Sequence, residues 1–163
     1  PYYITSPVIM KLLEEKLPVD SLTVMVQKEA AVRICAAPGT RACGAVSVAV
    51  QYYSQPQILF DVPRDCFFPA PNVDSAVIRL NIRKEPPVKL ETEEKQFFKL
   101  VKAAFGQRRK TVLNSLNTGL GKSKEELSAA LQQAGIAPTA RAEQLTMEQF
   151  GTLCNLLFPN KTK

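Results

Sequence analysis

The order of apolar and polar positions divides the chain near residue 85. Before it, helical and strand-like periods alternate, the signature of an α/β layer with crossover connections. Ser6 is placed to cap a helix with Pro7 at its first position, and Ile9, Leu12, Leu13 and Leu17 then share one face until Pro18. Leu22 to Val26 is a continuous apolar, β-rich run of the kind buried on both faces of a sheet. A helix over Lys28 to Ala36 follows, stopped by Pro38-Gly39. Ala45 to Tyr53 holds small and β-branched residues, so helix and strand are nearly tied, with a slight balance toward helix over Ser47 to Tyr53. Gln57 to Val62 and Ser75 to Ile82 are strand-like, separated by a proline-rich stretch, Pro63 to Pro71, too long and stiff for a tight hairpin turn.

Lys84 to Leu90, with Pro86-Pro87 and mixed charge, reads as a linker. Beyond it the period is helical throughout. From Thr92 to Gln107, Phe97, Val101, Ala104 and Phe105 recur at helical spacing while Lys95, Lys99 and Lys102 form a parallel basic stripe. Further helices are predicted over Thr111 to Leu116, Ser123 to Gln133 with Gly135 as its stop, and Thr146 to Phe158. Ser123-x-x-Glu126 and Thr146-x-x-Gln149 both fit the capping box. The expected architecture is an α/β part over residues 1–85 and a small helical bundle over 90–163.

Composition narrows what these parts do. A hydrophobic fraction of 45% over 163 residues allows one good core, or a medium domain with a small one. The net charge of +6, with pI near 9.2, suits contact with a polyanion and equally suits a plain basic surface. Cys35, Cys43, Cys66 and Cys154 show no paired C-x-x-C spacing and there is no histidine, so no metal site is expected and the thiols read as reduced. No apolar run approaches the roughly 20 residues of a membrane span, and a cytoplasmic protein without a membrane partner is expected.

Two aromatic-bearing loops are the candidate chemistry. Pro1-Tyr2-Tyr3-Ile4 alone reads most simply as an ordinary turn. Phe67-Phe68-Pro69-Ala70-Pro71-Asn72-Val73-Asp74-Ser75 puts a second aromatic on a proline-stiffened loop just before a strand. Two rings on separate rigid loops can sandwich a flat base, each stacking contact contributing about 1–3 kcal/mol. Pro1 stiffens the turn that presents Tyr2, and Pro69 and Pro71 do the same for Phe67. In the helical part Lys95, Lys99, Lys102, Arg108, Arg109 and Lys110 occur with no acidic residue among them from Lys95 to Lys110. They suit either a solvated face or contact with phosphates, the guanidinium groups in bidentate geometry. Gln27-Lys28-Glu29 and Arg33 read more simply as structural residues, and Asp74-Ser75 as a brace for the Phe67 loop.

The blocks P-Y-Y-I-T-S-P, V-Q-K-E-A-A-V-R-I, F-F-P-A-P-N-V-D-S-A-V-I-R-L and A-F-G-Q-R-R-K-T-V-L-N-S-L, in that order, resemble the KsgA family of ribosomal RNA adenine dimethyltransferases, bacterial type. The resemblance spans nearly the whole chain. It implies the second half of a Rossmann-like class I methyltransferase sheet (residues 1–85) followed by a helical rRNA-binding domain (90–163). It also implies a full-length enzyme that transfers methyl groups from S-adenosylmethionine to N6 of two adjacent adenosines near the 3′ end of 16S rRNA, in ribosome biogenesis. Partners implied are small-subunit rRNA and the small ribosomal subunit, acted on by a monomer.

By the same resemblance Pro1, Tyr2 and Phe67 are the catalytic-site residues, stacking and positioning the target adenine. Lys95, Lys99, Lys102, Arg108, Arg109 and Lys110 meet the RNA. The family's first motif is typically Asn-Leu-Pro-Tyr, whose Asn and Leu positions fall before residue 1, so the acceptors that activate the adenine amino group are not among these 163 residues. No glycine-rich strand-to-helix turn occurs in the sequence. S-adenosylmethionine is therefore expected to serve the full-length enzyme and not to bind well to this chain, which is expected to be inactive alone. The erythromycin-resistance methyltransferases share the F-x-P-x-P loop but not the Q-R-R-K-T-V-L-N-S-L block. A non-catalytic module that holds rRNA during subunit maturation is the alternative.

Overall fold

The structure, a computed structural model, describes residues 2–160. Backbone contacts divide the chain into two compact units: Pro1–Ala37 with Val46–Pro86, and Pro38–Ala45 with Pro87–Lys163.

The first unit is a three-stranded sheet with helices. After a 3₁₀ turn, Tyr2–Ile4, come α1 (Thr5–Glu14), β1 (Ser21–Gln27), α2 (Lys28–Ile34), α3 (Ala45–Tyr53), β2 (Ser54–Val62) and β3 (Ser75–Ile82). The strand order is β1-β3-β2, with β3 antiparallel to both neighbours. β1 and β2 therefore run parallel to each other, and α2 and α3 form the crossover between them. β2 is an edge strand, which is where Pro56 is tolerated. The sheet and crossover helices are the part of a Rossmann-like methyltransferase fold that the sequence predicts.

Ala76, Ile78 and Leu80 on one face of β3 join Val26 of β1, Ile9 and Leu13 of α1, Ala31 and Ile34 of α2, and Val50 of α3 in one buried cluster. β1 is not buried on both faces. Leu22, Val24 and Val26 turn toward this cluster, whereas Thr23 and Met25 are exposed. A run of β-formers hid an ordinary period of two. α1 also begins earlier than predicted: the 3₁₀ turn feeds straight into Thr5, so Ser6 is not a cap and Pro7 lies within the first turn. Proline is tolerated there because first-turn N–H groups have no intrahelical partner. α3 settles the tie over Ala45 to Tyr53 as helix. Its Ser47, Val48, Ala49, Val50 and Tyr52 are all buried, so little polar contrast was left to reveal the period.

The second unit carries α4 (Glu94–Ala104), α5 (Val112–Leu120), α6 (Lys124–Gln133) and α7 (Met147–Leu157). α4 packs on α5 and α7, and α6 packs on α5 and α7. Phe97, Leu100, Leu116, Leu127, Leu131, Phe150 and Leu153 are fully buried. The helix starts have identifiable caps. Thr111 accepts from the Asn114 N–H, Ser123 from that of Glu126, and Thr146 and Gln149 form the reciprocal capping box. Gly135 takes a positive φ of 68° just beyond α6, the stop expected of it. Asn155 of α7 fastens the segment leading to α4, accepting from the Glu91 N–H at 2.8 Å and donating to the Lys89 carbonyl at 3.1 Å.

Candidate functional site

The end of the sheet at which β3 begins carries the aromatic candidates. Tyr2 sits on the 3₁₀ turn, half-buried, its hydroxyl 2.7 Å from the hydroxyl of Ser75. Ser75 is fully buried at the first position of β3, paired with Gln27 on one side and Val62 on the other. A buried hydroxyl needs a partner, so this bond fixes the Tyr2 ring against the sheet. Tyr3, its neighbour, is 84% exposed and has no such tether. Pro1 lies outside the described residues.

Phe67 is half-buried on the segment between β2 and β3, directly after a 3₁₀ turn over Arg64–Cys66. What holds that segment is a clasp. Arg64 donates its backbone N–H to Asp74 Oδ1 at 3.0 Å, its Nε to the same oxygen at 3.2 Å, and its Nη1 to the Asn72 carbonyl at 2.8 Å. The N–H of Phe67 returns to the Arg64 carbonyl at 3.3 Å. Hydrogen bonds from the Arg64 backbone and then its side chain hold the Asp74 carboxyl below the usual carboxylate range. The segment is therefore pinned at both ends, Arg64 to Asp74, with Phe67 between them. Phe68 at its tip is wholly exposed.

Tyr2 and Phe67 are thus brought to one end of the sheet by two different anchors, the Ser75 hydroxyl and the Arg64–Asp74 clasp. The brace expected of Asp74 is the acceptor of this clasp. Its partner Arg64 and the pairing of Tyr2 with Ser75, 73 positions away, had no signal in the sequence.

Among the glycines, Gly39, Gly44, Gly106, Gly119, Gly121, Gly135 and Gly151, none belongs to the sheet unit. Its strand-to-helix junction passes directly from Gln27 to Lys28. The residues of this chain consequently do not fit the phosphate- or nucleoside-cradling turn that binds an adenosyl cofactor in such sheets.

In the helical unit, Lys95, Lys99 and Lys102 are exposed along α4, and Arg108, Arg109 and Lys110 are exposed in the turn after it. None of the six forms an ion pair among the described residues. Lys99 and Lys102 line a cleft of about 370 Å³ between α4 and α5, whose far wall is Ser115, Thr118 and Gly119. Gly119 makes the close approach possible, since a Cβ there would stand 2.6 Å from Cβ of Ala103. Lys95, Arg108, Arg109 and Lys110 lie outside this cleft. With no acidic residue among its lining residues, the cleft is an uncompensated basic groove.

A family model described as ribosomal RNA adenine dimethylase matches residues 1–158. The chain is 52% identical over 162 residues to the ribosomal RNA small subunit methyltransferase A of Geobacillus thermodenitrificans, covering 98% of this chain and 55% of that protein. It is 54% identical over 158 residues to the protein of the same name from Alkaliphilus oremlandii, covering 96% and 55%. The chain thus spans about 55% of the length of these curated relatives. Among solved structures it resembles a dimethyladenosine transferase from Plasmodium falciparum, with a TM-score of 0.74 at 24% identity over 94% of this chain and 62% of that one. It also resembles the 23S rRNA methyltransferase ErmE, with a TM-score of 0.67 at 27% identity over 96% and 62%.

Proposed function

The chain belongs to the ribosomal RNA adenine dimethylase family, and from that premise we propose that it is the base-presenting and RNA-holding part of an S-adenosylmethionine-dependent methyltransferase. The reaction is N6,N6-dimethylation of two adjacent adenosines near the 3′ end of 16S rRNA, during biogenesis of the small ribosomal subunit. The enzyme acts as a cytoplasmic monomer on small-subunit rRNA. Residues 1–85 complete its catalytic domain, and residues 90–163 form its helical rRNA-binding domain.

The observation that carries this role is the placing of two aromatic residues at one end of the sheet, Tyr2 by the bond of its hydroxyl to Ser75 and the segment bearing Phe67 by the Arg64–Asp74 clasp. An adenine inside a stack cannot reach a methyl donor, so the nucleotide must be extruded and held. Tyr2 stacks on the extruded ring, and Phe67 closes on it from the other loop. Because the Tyr2 ring and the backbone that bears Phe67 are held beforehand, less freedom is lost when the base arrives. Lys95, Lys99, Lys102, Arg108, Arg109 and Lys110 neutralise phosphates and set the register of the RNA without reading its sequence.

The cofactor, when bound to the full-length enzyme, supplies the methyl group, and residues outside this chain hold it. The glycine-free sheet unit favours a second description of the 163 residues by themselves, that of a non-catalytic module that binds rRNA during subunit maturation. Incubating undermethylated small subunits with labelled S-adenosylmethionine separates the two. The chain alone is expected to transfer no methyl groups. A chimera bearing the preceding part of the Geobacillus thermodenitrificans relative, joined at Pro1, is expected to transfer them. Incorporation by the chain alone at the chimera's rate overturns the claim that its cofactor-binding residues lie elsewhere. An inactive, folded chimera overturns the catalytic role.

A further inference from the structure

Beside the Tyr2 anchor lies a second cleft, of about 380 Å³, lined by Gln27, Lys28, Glu29 and Val32 from β1 and α2 and by Arg64, Val73 and Asp74 from the segment before β3. It joins Gln27-Lys28-Glu29, which the sequence marks without a task, to the Arg64–Asp74 clasp. Its volume is at the small end of the range of about 300–1,000 Å³ usual for small-molecule sites. Its position is set by the sheet: Gln27 pairs with Ser75, the residue that holds Tyr2, and the Lys28 N–H donates to the Asp74 carbonyl at 3.0 Å. Paired Cα atoms in such a ladder are only about 4.5–5.5 Å apart. The cleft is therefore next door to the ring that stacks on the target base.

Its chemistry differs from that of the groove on α4. Two cations, Lys28 and Arg64, face two carboxylates, Glu29 and Asp74, and Lys28 is also paired with Asp61 at 2.8 Å. A bare phosphate gains little from such a balanced site. Yet donors remain: Lys28 has three N–H bonds and Arg64 five, of which the contacts above use one and two. Gln27 adds an amide, which both donates and accepts. In the same lining Val32 of α2 and Val73 of the segment before β3 are 48% and 41% exposed. Exposed apolar side chains with donors and acceptors around them suit a nucleoside, its ring on the valines and its polar edge toward Gln27 and the cations.

We infer that this cleft holds the RNA nucleotide adjoining the target adenosine, with its base against Val32 and Val73 and its edge and ribose met by Gln27, Lys28 and Arg64. The hydrogen bond to the Asp61 carboxylate holds the pKa of the Lys28 ammonium above its ordinary value. The inference rests on the proposed RNA role. It adds a second base seat, so that two consecutive bases leave the stack together and the target is set by its neighbour as well as by Tyr2 and Phe67.

The test uses the 163-residue chain and single-stranded RNA oligonucleotides with 2-aminopurine on either side of a central adenosine. With the unaltered chain, emission rises for one flanking position as that base leaves the stack. Val32→Ser combined with Val73→Ser should abolish that rise and weaken binding roughly tenfold, the loss of one base seat. Being uncharged, the double substitution should leave the salt dependence as it was. Met25→Ser, at 42% exposure on β1 and outside the cleft, is expected to change neither readout. If the unaltered chain binds RNA and the double variant matches it in affinity and emission, the second seat is refuted while the RNA role stands. If the unaltered chain binds no RNA, both fall.

Discussion

The bond between Tyr2 and Ser75 permits a quantitative test. Tyr2→Phe keeps the ring but leaves the Ser75 hydroxyl, fully buried, without its partner at 2.7 Å. An orphaned buried hydroxyl costs about 1–3 kcal/mol. Ser75→Ala removes the buried group itself and frees the Tyr2 hydroxyl, which is only half-buried and can turn to water. Its cost is the net value of the bond, about 0.5–1.5 kcal/mol. Removing both should cost about as much as Ser75→Ala alone, so the two substitutions are coupled by the cost of Tyr2→Phe itself, about 1–3 kcal/mol. The asymmetry follows from burial alone. Urea unfolding of the four chains gives the cycle directly, and 1 kcal/mol corresponds to a shift of about 2–4 °C in Tm for a chain of this size. Additivity within about 0.3–0.5 kcal/mol would refute the anchor. In adenosine-containing RNA, Tyr2→Phe should also retain most of the binding that Tyr2→Ala loses, because the stacking face survives.

Other consequences are open to simpler measurements. Gly119→Ala brings a Cβ to 2.6 Å from Ala103 Cβ and 3.0 Å from its Cα, atoms that cannot swing aside. Overpacking of about 1–3 kcal/mol against about 1 kcal/mol of helix propensity leaves a net loss of about 1 kcal/mol, which adding Ala103→Gly should reduce in a thermal melt. The Asp74 carboxyl is held below its ordinary value of 3.8, so its contribution is fully present above that pH and is lost as pH falls through the lower folded value. The Arg64 amide resonance, whose N–H meets Asp74 Oδ1, should follow that titration, and indifference to it would remove the clasp. Arg108→Ala and Arg109→Ala should each flatten the salt dependence of RNA binding by up to about one unit of log slope, and an unaltered slope would return them to plain surface. Cys66 is exposed, whereas burial raises the Cys35 and Cys154 thiols to about 11, so a thiol reagent near neutral pH should modify Cys66 first.

What the sequence made legible follows a physical division. α4 to α7 are amphipathic, and α6 and α7 carry caps written locally at Ser123 and Thr146, so spacing within one turn located them. β1 and α3 were harder because tertiary packing, not local pattern, decides how much of each is covered. Met25 is exposed on a run that looks wholly apolar, and the polar Ser47 is buried in α3. The site divides in the same way. The residue types on the two loops, Tyr2 and Phe67, stand in the sequence, and the basic stripe of α4 shows in its period. Of the anchors only Asp74, as a brace for the Phe67 loop, was legible; its partner Arg64, ten positions away across an irregular segment, and the pairing of Tyr2 with Ser75 across 73 positions were not. Gly119 likewise looks like an ordinary small residue until α4 is seen against it. Long-range pairing is a property of the chain's path, and only the fold displays it.

The claim at the centre is that Tyr2 and Phe67 present the base for reaction. The most direct measurement is single-turnover methylation of undermethylated small subunits by the chimera described above, with Tyr2→Ala and Phe67→Ala compared in rate and in rRNA affinity. Loss of a stacking ring should lower the methylation rate by about tenfold or more while rRNA affinity, which the proposal assigns mainly to the basic residues of the helical unit, changes far less. Unchanged rates in both variants, with both folded, would contradict it.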